Sequence, residues 1–480
     1  MFDFDNRRNR FIKIEDVPDS YMREIKKKTL SDEYYPRYHV APKHGLLNDP
    51  NGLAYHNGEH HIFYQWFPLG PVHGLKYWYH LSTKDFVDYT DHGIALYPDE
   101  DFDSHGCYSG SAVSVDEDLY LFYTGNKMLE DHTFIQSQCL AVMGNNNSMI
   151  KKGVIANTPA DFTHDFRDPS VIKRDDKLMM FVGGKTIEGD GALALYVSDT
   201  VEGDFKYQGK IDAQAEDFGY MWECPSYYEE KDQGVLILSP QGISSQNKYD
   251  YKNVFSVVYA IGDKVDVNQQ TFTHGGFIEM DKGFDFYAPQ TYLDHQGRRI
   301  MLGWLGNSKS KYPTDKNGWA HMLTIPREIM IKNDTLRQRP LAELKALRTE
   351  KQALHQTNYL TSKAFELVCD VEDVFQLSFE NDKGDHITFS SDGMAYCLDR
   401  THMSEVYAEK FGTVRYAKRK IQKNHTIRIF VDHSSMEIFC DDGETVLTSR
   451  FFIHQLSLLK IENITGNLYY LSNIKNGQTI

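Results

Sequence analysis

Several large protein classes are excluded by what this chain lacks. Its 480 residues hold six cysteines, at positions 107, 139, 224, 369, 397 and 440, spread along the chain with no C-x-x-C pair. Such spacing encodes neither a zinc ribbon nor a disulfide framework, so buried free thiols of a reducing compartment are expected. No apolar run approaches the roughly 18 residues of a membrane span. The opening MFDFDNRRNRFIKIEDVPDS carries charges where a secretory signal has its hydrophobic segment. A soluble, cytoplasmic protein without a membrane partner is the expectation. Basic residues number 52 against 68 acidic ones, a formal charge of -16, and no basic run is long enough to follow a phosphate backbone. No nucleic-acid partner is expected. The 20 histidines include no H-E-x-x-H pattern, and most are read as structural or surface residues.

What the chain does have is aromatic surface: 30 Tyr and 28 Phe in a polar sequence of mean hydropathy -0.53. Flat, half-polar side chains suit strands and the stacking of ligands. They also recur in a pattern. Five segments share one layout, a small polar or acidic motif, a strand-like run, a turn and a second strand-like run: NDPNGLAYHNGEHHIFYQW from Asn48, CYSGSAVSVDEDLYLFYTG from Cys107, FRDPSVIKRDDKLMMFVGG from Phe166, WECPSYYEEKDQGVLILSPQG from Trp222 and FYAPQTYLDHQGRRIMLGW from Phe286. They lie roughly 55 to 65 residues apart, as a structural repeat requires. Asn57-Gly58, Asp116-Glu117-Asp118, Asp175-Asp176, Gln233-Gly234 and Gln296-Gly297 supply the residues that tight reversals need.

Each unit is therefore a β-hairpin with room for two more strands, and five such sheets arranged radially make a β-propeller. The fold class expected is all-β, a five-bladed β-propeller followed by a C-terminal β-sandwich. The propeller is placed at 36–335. Residues 1–35 form an extension packing on it, with a charged helix at YMREIKKKTL, and the sequence assigns it no function. LRQRPLAELKALRTE, with Leu341, Leu344 and Leu347 at helical spacing, reads as a linker helix over 336–352. Alternation in TIRIFVDHSSMEIFCDDGETVLTSRFF and an Asp442-Gly443 turn place the sandwich at 353–480.

The first strand of a propeller blade lines the central channel, so the five motifs gather at one mouth. Taken singly, Asp49 and Asp168 read most simply as turn residues beside Pro and Gly. Glu223 is a poor turn former, and three acids at matching places in three repeats are more than turns require. Converging carboxylates suit either a hard cation or glycoside hydrolysis. No EF-hand loop or dense D-x-D-x-D run favours the cation. Trp222 and Tyr220 offer Glu223 an apolar setting that suits a general acid, while Asp49 beside Asn48 is placed to stay ionised as a nucleophile. Asp168 adjoins Arg167, an ion pair that fixes the loop and a carboxylate able to bind sugar hydroxyls and developing positive charge. Gln65, Trp66, Trp78, Tyr108, Ser109 and Trp304 would add hydrogen bonds and stacking surface, though core packing is the ordinary role of such aromatics.

LLNDPNG, FYQ, CYSGSAV, FRDP, WECP and FYAPQT followed by GRRIMLGW together closely resemble the β-fructofuranosidase family, glycoside hydrolase family 32, which includes invertases, fructanases and sucrose-6-phosphate hydrolases. The resemblance runs from about residue 36 to the end. It implies a five-bladed propeller with a sandwich, a retaining mechanism, a sugar substrate, and no metal or organic cofactor. Asp49 is implied as nucleophile, Glu223 as general acid/base and Asp168 as transition-state stabiliser; Leu46, Leu47 and Asn48 stand in the family's sugar-binding motif. Leu46-Leu47 and Trp78-Tyr79-His80 depart from its commonest pattern on the leaving-group side.

VHGLKYW and KYPTDKNGWAHMLTIPRE are similar to the intracellular bacterial sucrose-6-phosphate hydrolases of that family. A phosphate on the leaving sugar needs cations or donors near the rim, and His73, Lys76 and Lys311 are the candidates by position. A fructan hydrolase or fructosyltransferase is the alternative within the family, and a non-catalytic sugar-binding propeller the alternative outside it. Oligomeric state is not encoded in any of these signals.

Overall fold

The computed structural model describes residues 2–215, 218–245, 247–421 and 423–476. The five repeats form five antiparallel sheets whose first strands are Gly45–His56, Cys107–Val115, Phe162–Arg174, Met221–Glu230 and Tyr287–Leu293. Each pairs with the strand that follows it, so every expected hairpin is present. Asn57 and Gly58 take φ of 50° and 83°, the left-handed pair that a two-residue reversal demands. In blade four the reversal falls at Lys231-Asp232, with Gln233-Gly234 already in the second strand. The ring closes where Trp319–Ala320 pairs in parallel with Gly45 and Leu46 of the first blade. Apolar side chains fill the wedges between blades, as Phe63, Trp78, Leu121 and Tyr123 do between the first two.

The expected linker helix is not α-helical. Thr335–Pro340 is the outer strand of blade five, Ala342–Leu347 is a short 3-10 segment, and Arg348–Ala353 is a strand of the second domain. The Leu spacing serves this 3-10 segment of about two turns, from which Leu341, Leu344 and Leu347 are buried. The C-terminal domain is sandwich-like and barrel-shaped. Its 17-residue strand Ala364–Glu380 pairs with His386–Asp392, His425–Asp432 and Leu458–Leu471. Phe365, Leu367, Phe389, Ile429, Ile438 and Leu447 lie in its core. Residue 422 and residues 477–480 of the span assigned to this domain lie outside the described residues.

The two domains meet through buried charge. His39 links Asp432 at 2.8 Å and Glu437 at 2.9 Å, and the Arg327 guanidinium of blade five also donates to Glu437. The N-terminal extension bears the expected helix, Asp19–Leu30, tied to the propeller where the Thr29 hydroxyl donates to the Asn317 carbonyl at 3.1 Å. Among the described residues no helix is long and apolar enough to cross a membrane.

Candidate active site

Each inner strand breaks register at its motif. Pairing slips after Leu47, Tyr108, Arg167, Glu223 and Tyr287. These are β-bulges, which bend a strand and re-aim its side chains. At them Asp168, Cys224 and Ala288 adopt φ of 70°, 47° and 47°, a region that non-glycine residues rarely occupy and that collects at functional sites. The unpaired bulge residues include Asn48 and Asp49 in blade one, Ser109 in blade two, and Asp168, Cys224 and Ala288 in blades three to five, while Leu47, Tyr108, Arg167, Glu223 and Tyr287 are the last paired residues before them. Glu223 thus sits one residue before the place that Asp168 takes in its own blade, and Cys224 is the counterpart of Asp168 in blade four. The acids do not occupy three matching places as expected. The offset turns Glu223 toward Arg167 and Tyr287, residues of its own register.

Asp49 ends a directional chain. Lys76 Nζ donates to Asn48 Oδ1 at 2.6 Å, Asn48 Nδ2 to Gln65 Oε1 at 2.9 Å, Gln65 Nε2 to Ser109 Oγ at 2.5 Å, and Ser109 Oγ to Asp49 Oδ2 at 2.5 Å. With Gln65 spending its amide on Ser109, that hydroxyl can only give its proton to the carboxylate, which fixes the Asp49 rotamer. Burial raises the Asp49 carboxyl and the Glu223 charge adds to it, while Ser109, Asn48 and Lys76 oppose. Burial brings the Lys76 ammonium down to about 7.

Asp168 accepts from the Cys224 amide at 2.9 Å, and its own amide donates to Thr124 Oγ1 at 3.0 Å. Its carboxyl is raised by burial and by the charges of Glu223 and Asp49, against the pull of Arg167. The Cys224 thiol bridges two acids, 3.4 Å from Asp168 Oδ2 and 3.6 Å from Asp49 Oδ2. Glu223 receives Arg167 Nη2 at 2.7 Å, Tyr287 Oη at 2.7 Å and Gln241 Nε2 at 2.5 Å. Arg167 therefore forks onto Glu223 and does not close on its neighbour Asp168. The apolar setting expected for Glu223 is also absent: Trp222 turns into the core and donates to the Phe218 carbonyl, and Tyr220 is exposed. Donors from three blades hold the carboxylate instead.

All three acids line a single cavity of about 600 Å³, together with Asn48, Gln65, His73, Lys76, Tyr108, Arg167 and Trp304. Six candidates do not line it: Trp66 packs in the propeller core with its Nε1 donating to the His44 carbonyl at 2.8 Å, Ser109 meets the site only through Asp49, and four more lie elsewhere. Leu46 and Leu47 are core residues of the propeller. Trp78 is buried between blades one and two and reaches the site only by its Nε1 donating to the Tyr108 carbonyl at 3.0 Å. Lys311 is exposed and does not line the cavity. Residues missed by the sequence reading are Cys224, Gln241, Tyr287, Gln136, and Arg7 and Arg10 of the N-terminal extension. Cys224 and Tyr287 sit inside the repeat motifs, so strict alignment of the five units finds them. No local signal marks Arg7 or Arg10.

A cavity with three converging carboxylates suits glycosidic bond cleavage, and comparison with known proteins agrees. Residues 39–340 match the glycosyl hydrolases family 32 N-terminal domain, and 333–467 match the family's C-terminal domain. The sucrose-6-phosphate hydrolase of Vibrio alginolyticus is 46% identical over 457 residues, covering 95% of this chain and 94% of that one. The solved sucrose-6-phosphate hydrolase of Lactobacillus gasseri superposes with a TM-score of 0.93 at 32% identity, over 98% of this chain and 99% of that one. A mutant of the Bombyx mori family 32 β-fructofuranosidase, solved in complex with sucrose, gives a TM-score of 0.84 at 27% identity over 96% and 98% of the two chains. This chain belongs to glycosyl hydrolase family 32 and is a glycosidase of the β-fructofuranosidase type.

Proposed function

We propose that the protein hydrolyses the β-D-fructofuranosyl bond of sucrose 6-phosphate, and of sucrose, releasing fructose with glucose 6-phosphate or glucose. The observation that carries this is the convergence of Asp49, Asp168 and Glu223 on one cavity, in a chain that is 46% identical to a sucrose-6-phosphate hydrolase. Asp49, its rotamer held by Ser109, attacks the anomeric carbon of the fructosyl ring. Glu223 gives a proton to the departing glucosyl oxygen, so the C–O bond breaks as the aspartyl ester forms. Water then enters the leaving-group side. Glu223 takes its proton, the water oxygen bonds the anomeric carbon, and Asp49 is released, so configuration is retained. Asp168 accepts fructosyl hydroxyls and faces the positive charge of the oxocarbenium-like transition state. Arg167, Tyr287 and Gln241 position Glu223. The substrate fits a cytoplasmic location, since an ionised sugar phosphate stays within the compartment that makes it.

The test is fructose release from both substrates by the wild type, Asp49→Asn and Glu223→Gln. Each substitution should lower kcat by about a thousandfold or more. Unchanged rates in either variant, or no release from either substrate by the wild type, would overturn the proposal.

A further inference from the structure

The phosphate of the proposed substrate has no obvious seat among the cations expected from the sequence. Lys311 is outside the cavity. Lys76 is committed to Asn48 deep in the wall, and at about 7 it carries only part of a charge at neutral pH. His73 lines the cavity, but burial, then Lys76, His321 and Arg10, hold its ring neutral.

Two full cations do reach the cavity, from a part of the chain to which the sequence assigns no function. Arg7 and Arg10 lie on the short 3-10 segment Arg7–Phe11, and both line the same cavity as the three acids. Neither has an ion pair with a carboxylate among the described residues. Arg7 has no side-chain hydrogen bond there and sits 5.7 Å from the centre of the Phe134 ring. Arg10 spends only Nε, on the Phe4 carbonyl at 2.7 Å, leaving the rest of its fork unused. Beside them the buried His73 Nε2 also lacks a partner. Arg7 is exposed and Arg10 half-buried, so both keep donors to offer an anion in the cavity, in a protein of formal charge -16.

The segment is seated firmly. The Leu75 amide donates to the Arg10 carbonyl at 2.7 Å, the Ile14 amide to Tyr77 Oη at 3.0 Å, and Tyr21 Oη to the Leu69 carbonyl at 2.7 Å. Gly74 permits this approach, since a Cβ there would lie 2.6 Å from the Arg10 carbonyl oxygen, and a Cβ on Gly70 would lie 2.3 Å from the Phe4 ring. Backbone and tyrosine hydrogen bonds thus hold the segment against the loop that carries His73 and Lys76, leaving the Arg7 guanidinium and the Nη groups of Arg10 available.

We propose that this N-terminal segment completes the cavity as a phosphate subsite, Arg7 and Arg10 gripping the phosphate monoester of the leaving hexose. A planar guanidinium pairs two phosphate oxygens at once, and two such forks around a dianion discriminate it from a hydroxyl. The subsite rests on the substrate reading above, and it explains how an acidic protein accepts an anionic sugar.

The experiment compares kcat/KM for sucrose 6-phosphate and for sucrose in the wild type, Arg7→Ala, Arg10→Ala and the double variant, with glucose 6-phosphate as inhibitor of sucrose hydrolysis. The expected result is a wild-type ratio well above ten that falls about tenfold in each single variant and further in the double. The loss should sit in KM for the phosphorylated substrate, with a matching rise in the inhibition constant of glucose 6-phosphate. Arg7→Ala forfeits no hydrogen bond, so it reads the subsite even if Arg10→Ala loosens the segment, and Arg10→Lys should recover part of the ratio. A wild-type ratio near one overturns the substrate reading. A high wild-type ratio that every variant keeps, or equal losses on both substrates, overturns the subsite alone.

Discussion

Asp168 shows what a catalytic geometry costs at the scale of one residue. It stands at φ 70° on a bulge and is 4% exposed, with two other carboxylates sharing its cavity. Its folded carboxyl is raised above the ordinary 3.8, so the folded state keeps this proton to higher pH than the unfolded chain does. Below 3.8 both states hold the proton and nothing is lost; as pH climbs through the raised value, stability falls. Asp168→Asn removes that penalty while keeping an acceptor for the Cys224 amide. Its thermal midpoint at pH 8 should exceed the wild type's by a few degrees, the gap closing toward pH 4, while kcat drops by about 10³. Calorimetry across pH with parallel kinetics reads both. A variant less stable than wild type at pH 8 would show that the Arg167 attraction outweighs burial.

At the scale of the element, the site depends on how closely strands of neighbouring blades approach. Gly183, in the second strand of blade three, faces the inner strand of blade four, and a Cβ there would lie 2.2 Å from the Trp222 carbonyl oxygen. That oxygen belongs to the peptide preceding Glu223, so no rotamer change relieves the overlap. Gly183→Ala should cost about 2 to 4 kcal/mol of stability and lower kcat by tenfold or more through displacement of Glu223. Denaturant unfolding and kinetics of the purified variant check both, and a silent substitution would mean the blades can part without moving the acid. The bulges themselves were not legible in the sequence. N-D-P, F-R-D-P, W-E-C-P and Y-A-P announce a turn-like break before a proline, yet which residue occupies the break depends on how each inner strand pairs with its neighbour. Glu223 therefore stands one place before the bulge of its strand, and Tyr287 takes the same position one blade on, neither of them marked by the motif alone.

At the scale of the whole molecule, one buried histidine joins the N-terminal stretch to the second domain. His39 is held up at about 9 by its contacts with Asp432 and Glu437, which outweigh burial, and both carboxyls are lowered in return. The His39 contribution is complete below its ordinary 6.5 and is lost as pH rises through about 9. The carboxylates contribute above their ordinary values and lose it as pH falls. A broad stability maximum on the mildly acidic side of neutrality follows. His39→Gln should cost about 3 kcal/mol at pH 6, because a buried pair loses one partner. It should also flatten the decline between pH 6.5 and 9 seen by urea unfolding of the wild type. An unchanged alkaline slope would place the titrating group elsewhere.

The sequence by itself determined the class, the count and the chemistry. Five motifs at near-constant spacing force five sheets; turn residues mark where four of the five hairpins reverse, all but that of blade four; Asp49, Asp168 and Glu223 stand in those motifs and reach one cavity. These are local properties, each carried by a few neighbouring residues. Only the tertiary structure decided which groups meet. Arg167 turned to Glu223 and away from Asp168 beside it, Trp78 and Leu47 became core, and the helix expected over 336–352 is a short 3-10 segment between two strands. Arg7 and Arg10 reached a cavity whose acids begin some forty residues further along the chain. Each of these outcomes is set by packing between segments distant in sequence, where burial area and unpaired donors outweigh local preference, and no window of sequence contains both partners.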